Sequence, residues 1–131
     1  MAAVITDDHG RALLIQHADH HHWEPPGGVL ELNESIEDGL RCEAREEPVS
    51  TSTRPAHRHL QDMTRGIIAL VFRRKITGGN LAPNDETAAF RWASEHDIRE
   101  LATEAYAIRV LDALSPRTSP VIRHHDGVHL L

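Results

Sequence analysis

Residues 23–50 read WEPPGGVLELNESIEDGLRCEAREEPVS, and the second half of that stretch decides how the rest of the chain is read. Ser35 stands at a helix N-cap, with Asp38 three residues on, the spacing of a capping box. Ile36, Leu40 and Ala44, four apart, form a narrow apolar stripe. Pro48 has no amide proton and restricts the residue before it, so the pattern predicts a helix over 36–47. Glu43, Glu46 and Glu47 are related by i, i+3 and i+4, which puts their carboxylates on one side of its last turns. That placement is unfavourable in isolation. Negative charge near a helix C-terminus opposes the macrodipole by about 0.3–1 kcal/mol per group, and like-charge neighbours add about 0.2–0.5 kcal/mol. A bound cation reverses the sign of both effects. Between Glu34 and Glu47 there are six acids (Glu34, Glu37, Asp38, Glu43, Glu46, Glu47) against two bases, Arg41 and Arg45.

Immediately upstream, Pro25-Pro26-Gly27-Gly28 closes a loop from Ala18 that cannot sit in a regular element. VLEL, residues 29–32, alternates and predicts a short strand. Further out, AAVIT (2–6) and RALLIQH (11–17) flank Asp7-Asp8-His9-Gly10 as a hairpin. GIIALVFRRKI (66–76) is the most strand-like run, and AAFRWA (88–93) predicts another strand. Ser94 and Asp97 open a short helix. Thr103 caps a helix over 104–114 whose Ala107, Val110, Leu111 and Leu114 face inward, and Ser115-Pro116 ends it. The tail VIRHHDGVHLL predicts a small hairpin about Asp126-Gly127. Residues 48–61, PVSTSTRPAHRHLQ, lack apolar alternation and predict a loop or a ragged sheet edge, a stretch out of register with its ancestry, as compensating frameshifts in the gene would leave it. Strands and helices alternate irregularly, which predicts an α/β fold with a mixed sheet covered by helices.

The chain has 131 residues, 40% hydrophobic and 26% charged, the size and balance of one domain over 1–131. No stretch approaches the roughly 20 apolar residues of a membrane span, and the start carries no signal-peptide pattern. The single Cys42 excludes an internal disulfide framework and fits a cytoplasmic address. A net charge of −6, with histidines counted neutral, argues against a general nucleic-acid binder. A homodimer is left open.

The quoted stretch resembles the signature of the Nudix (MutT-like) hydrolases, G-x5-E-x7-R-E-U-x-E-E-x-G-U, where U is aliphatic. Counted from Gly28, the pattern meets Glu34, Glu43, Ala44, Glu46 and Glu47 in place. W-E-P-P-G-G upstream and FRWASEHDI downstream are similar to the family as well. The resemblance implies a Nudix-type α/β/α sandwich that hydrolyses the phosphoanhydride bond of a nucleoside diphosphate linked to another moiety, using Mg²⁺ or Mn²⁺. Such a reaction needs cations to neutralise phosphate oxygens and to acidify water. The carbonyl of Gly27, with Glu43 and Glu47, is implied as metal ligand, and Glu46 as ligand or general base. Glu86 matches where relatives place a further acid, and Glu34 either joins this site or shapes the loop.

Three positions depart from the signature: Cys42 stands in place of arginine, Val49 of glycine and Ser50 of an aliphatic residue. The arginine would hold the adjacent glutamates by charge-assisted hydrogen bonds, which cysteine cannot make. The alternative these departures raise is a Nudix-fold module that binds a nucleotide without efficient turnover. The histidines suggest a third reading, since His20-His21-His22 and His124-His125 could take zinc or nickel. Adjacent histidines do not converge on one ion unaided, and the triple histidine is read as the mouth of the substrate cleft. If Cys42 occupies the arginine's position, Cys42→Arg raises kcat by about tenfold in a hydrolysis assay. An unchanged kcat would remove the clamp from consideration.

Overall fold

A computed structural model describes residues 2–28, 31–36, 38–39, 58–75, 87–116 and 121–131, with the backbone alone at 58–62 and 74–75. The strand β1 (Ala2–Thr6) is a run of small and β-branched residues, all five buried. A strand covered on both faces needs no polar alternation, and AAVIT has almost none. Asp7 turns the chain: its carboxylate accepts from the backbone N–H groups of His9 and Arg11, and Arg11 Nε donates to it at 2.7 Å. Gly10 closes the turn at φ +75°, a conformation that disfavours a side chain. β2 (Ala12–His17) then returns, pairing with β1 only at Thr6↔Ala12.

The other described strands are β3 (Trp23–Glu24), β4 (Arg58–Asp62), β5 (Ile67–Lys75), β6 (Thr87–Ala93) and β7 (Val121–His125). β5 runs parallel to β1 from Ala2↔Val71 to Thr6↔Lys75. β6 lies antiparallel along the whole of β2, with a bulge at Gln16/His17. β3 pairs β2 at Ile15↔Glu24 and Gln16↔Trp23. The sheet is mixed, in the order β3-β2-β1-β5-β4-β7, with β6 also on β2.

Side-chain alternation divides the core between the two faces of the sheet. Ala2, Val4, Ala12, Leu14, Ala69, Val71 and Ala93 pack with Ile98, Ala107, Val110 and Ala113. Ala3, Ile5, Leu13 and Phe72 form the second cluster, flanked by Leu70, Phe90 and Trp92. The first cluster is where the helices α1 (Glu95–Leu101) and α2 (Glu104–Leu114) dock. Ile98 and Val110 are fully buried there, each contributing about 1.5–3 kcal/mol. Leu111 and Leu114 are half-buried against it, as their spacing predicts.

The capping box of α1 forms both ways, with Ser94 Oγ accepting from the Asp97 N–H and Asp97 from the Ser94 N–H. The second bond, from the Ser94 backbone, holds the Asp97 carboxyl below its ordinary range. Thr103 starts α2 without a side-chain cap. The tail folds back about Asp126-Gly127, where Asp126 accepts from the N–H groups of Val128 and His129. One bridge, His125↔Leu130, closes that hairpin. No helix among the described residues is long and apolar enough to cross a membrane.

Two expectations are corrected. Glu31 and Leu32 of VLEL are not strand: Leu32 lies in a turn, 96% exposed, with no sheet partner to bury it. Residues 58–61 are neither loop nor ragged edge, because β4 pairs antiparallel with β5 and parallel with β7 along its length. Backbone pairing on both sides holds a strand whose side chains carry little strand signal. Residues 48–57 lie outside the described residues.

β7 is also tied to α2 by a bidentate ion pair, Arg123 Nε and Nη2 on Asp112 at 2.7 and 2.9 Å. Arg123 is half-buried, so removing Asp112 leaves a partly desolvated guanidinium without this partner. Asp112→Ala is expected to cost about 2–3 kcal/mol, lowering Tm by roughly 6–12 °C in a thermal melt. Asp112→Asn, which keeps one acceptor, should lose less.

Candidate functional site

The glycine turn is fastened to the start of β1. Pro25 and Pro26 are buried, and the Ala3 N–H donates to the Pro26 carbonyl at 2.8 Å. Ala2 and Gly27 then face each other as an isolated antiparallel bridge. Because the bond runs between their neighbours, Ala2 and Gly27 form a non-hydrogen-bonded pair. The carbonyl of Gly27 therefore points away from β1, and the residue is exposed. A backbone oxygen held in a rigid frame and spared by the sheet suits a hard divalent cation.

The helix expected from Ser35 onward opens where its cap predicts. Ile36, Asp38 and Gly39 are helical, Ser35 Oγ accepts from the Asp38 N–H at 3.1 Å, and the Gly39 N–H donates to the Ser35 carbonyl at 2.9 Å. The Ser35 hydroxyl itself donates to the Asp38 carboxylate at 2.8 Å. The preceding turn is closed by Glu34, whose backbone N–H donates to the Glu31 carbonyl and whose Oε2 accepts from the Glu31 N–H at 2.9 Å. Of the two roles open to Glu34, this geometry supplies the loop-shaping one. Asn33 supports the turn at φ 65°. Glu43, Glu46, Glu47 and Glu86 lie outside the described residues, as do Cys42, Val49 and Ser50.

The histidines divide by topology. His124 and His125 are successive residues of β7 and point to opposite faces, His124 exposed and His125 buried. His125 Nδ1 accepts from the Gly127 N–H, so it serves the tail turn. On the β2–β3 hairpin the chain instead gathers groups. His17 and Glu24 share a face, with His17 Nε2 at 3.4 Å from Glu24 Oε1. The His20 ring stacks on His17 at 4.6 Å and 22°, and His22 meets His20 edge-on. One donor atom from each of His17, His20 and Glu24 lies within 4.8 Å of the others. Sequence reasoning singled out the triple histidine and passed over His17 and Glu24. The signal that could have found them is hairpin register, which sets residues 17 and 24 diagonally across two strands.

Comparison with known proteins agrees with this architecture. The family model of the NUDIX domain matches residues 1–114. This chain belongs to the Nudix family, and its fold is the family's α/β fold with a mixed sheet. It is 42% identical to a MutT-like protein of Streptomyces ambofaciens over 132 residues, spanning 100% of this chain and 85% of that protein. Among solved structures it resembles an ADP-ribose pyrophosphatase of Streptococcus suis, with TM-score 0.74 and 22% identity over 95% of this chain and 96% of that one. A MutT protein of Bacillus halodurans superposes with TM-score 0.72 and 20% identity over 99% and 92% of the two chains.

The Glu34 bond to Glu31 can be checked directly. Glu34→Ala is expected to speed hydrogen exchange of the Glu31 amide by about fivefold or more, with little change at Gly39. Protection of Glu31 that survives the substitution would remove the loop-fastening role.

Proposed function

We propose that the chain is a divalent-metal-dependent hydrolase of a nucleoside diphosphate linked to another moiety, breaking the phosphoanhydride bond. The observation that carries this reading is the spacing of Glu43, Glu46 and Glu47 in the sequence, downstream of a capped helical turn at Ser35 that follows the fixed Gly27 carbonyl. Family membership and the named activities of similar proteins support the substrate class. An ADP-ribose pyrophosphatase, an Ap4A hydrolase of Caenorhabditis elegans (TM-score 0.63, 19% identity, 86% and 90% of the two chains) and a UDP-X diphosphatase all act on such anhydrides.

The Gly27 carbonyl, Glu43 and Glu47 hold Mg²⁺ or Mn²⁺, and Glu46 takes a proton from the attacking water or completes the ligand set. Glu86 assists as a further acid. A bound divalent ion supplies charge neutralisation at the phosphates and acidifies water. The donors are oxygens of the hard type that these ions prefer. The bonds within 31–39 support the same site by fixing the helical turn from which the segment bearing the glutamates continues. The enzyme acts as one domain over 1–131 on a small molecule in the cytoplasm. The loss of arginine at Cys42 favours one other reading, a nucleotide-binding module with slow turnover.

Hydrolysis of a panel of nucleoside diphosphate derivatives with Mg²⁺ and with Mn²⁺ separates the two. Turnover supports the hydrolase, whereas tight nucleotide binding without turnover supports the module. Glu46→Gln and Glu47→Gln should each lower kcat by about 10²–10⁴-fold with little change in the far-ultraviolet circular dichroism. Mg²⁺ should raise Tm of the unsubstituted protein more than that of either variant. Full activity in both variants would reject the assignment.

A further inference from the structure

We propose that His17, His20 and Glu24 form a second cation site, chemically distinct from the glutamate helix, which takes a borderline divalent metal of the zinc class. The donor set is two imidazoles and one carboxylate. Imidazole nitrogen favours zinc over magnesium, whose ligands are oxygens. Three protein ligands leave a fourth position for water, the pattern of an open tetrahedral site.

One edge of the site is already formed. Two donors at about 2.0–2.2 Å from a tetrahedral ion stand roughly 3.4 Å apart, and His17 Nε2 and Glu24 Oε1 are separated by 3.4 Å. The backbone holds that edge, since the His17 N–H donates to the His22 carbonyl and Glu24 pairs with Ile15. His17 Nδ1 is buried and, among the described residues, has no hydrogen-bond partner. No described residue fixes the imidazole tautomer there, so the ring proton can sit on Nδ1 and leave the Nε2 lone pair for the ion.

His20 supplies the adjustable ligand. It sits exposed on the turn between β2 and β3, held by the His22 N–H on its Nδ1 at 3.2 Å. Stacked rings do not aim their lone pairs at one point, so His20 must swing off His17 to bind. The turn that carries it is well defined: the His21 N–H donates to the His17 carbonyl, and the Gln16 side chain donates to the His21 carbonyl. The His20 side chain is thus the ligand that has to reorient. The strap formed this way joins both strands of a hairpin that leads through Pro25 and Pro26 to Gly27. Its occupancy stiffens the approach to the glycine turn.

The test is calorimetric titration of the full, tag-free, metal-free chain with Zn²⁺ alone, in excess Mg²⁺ so that oxygen sites are filled. One Zn²⁺ per chain is expected. His20→Ala and Glu24→Gln should each weaken it by about tenfold or more, whereas His124→Ala and Glu46→Gln should not. His20 is exposed, so its variant is expected to fold, which thermal melting verifies. Zn²⁺ should also shift the ring-proton NMR signals of His17 and His20. Absence of binding by the unsubstituted chain, full affinity in either hairpin variant, or loss of the site in Glu46→Gln would each overturn the proposal. None of these readouts depends on hydrolysis, so failure here and failure of the proposed activity are separable.

Discussion

The parallel pairing of β1 with β5 is the constraint on which the rest of the molecule depends. β1 gives its whole length to β5, its last residue to β2 and its first residues to the Pro26-Gly27 turn. A strand used on both edges and buried on both faces has no tolerance for large or polar side chains. Ala2 and Ala3 sit where the turn must come closest, and Val4 and Ile5 fill the space on opposite faces. The direction of the Gly27 carbonyl follows from the bond between Ala3 of this strand and Pro26.

The two faces of the sheet are then put to different uses. Ala2, Val4, Leu14 and Val71 meet the apolar sides of α1 and α2, and Arg123 locks β7 to α2 through Asp112. Neither helix contributes to the second cluster of Ala3, Ile5, Leu13 and Phe72. The alternation that separates Val4 from Ile5 also separates Leu14 from Leu13. The same parity carries His17 and Glu24 onto the face of Leu13 and Ile15.

Much of this was legible in the sequence wherever local physics and tertiary demand agree. The capping box at Ser94, the helix over 104–114 and the start at Ser35 rest on bonds among residues three or four apart. β5 was legible because IIALV is apolar enough to be placed by composition. β4 was not, since RHLQD owes its structure to partners at 67–71 and 121–125 that local pattern cannot reveal. The second half of VLEL failed the other way, and Val29 and Leu30 lie outside the described residues. Alternation alone promised a strand at Leu32, but a strand needs a neighbour, and at Glu31 the chain turns back on Glu34 instead. The glycine turn of the candidate site was evident from Pro-Pro-Gly-Gly, whereas the carbonyl's direction required knowing that Pro26, and not Gly27, bonds to β1.

The two cation chemistries proposed for this chain follow from how each donor set is made. Glutamates spaced along a helix can be read from one turn to the next, and they provide oxygen with flexible stems, suited to an ion that keeps much of its water. Histidines adjacent in sequence mislead, because strand geometry sends neighbours apart, as β7 does with His124 and His125. Two imidazoles and a carboxylate meet only where a hairpin sets residue 17 across from 22 and diagonal to 24, with a turn short enough to fold residue 20 back. A nitrogen-rich set built on such a frame offers little to magnesium and much to zinc. The difference in ligand chemistry, more than any difference in net charge, is what would keep magnesium off the hairpin set while leaving that set open to zinc.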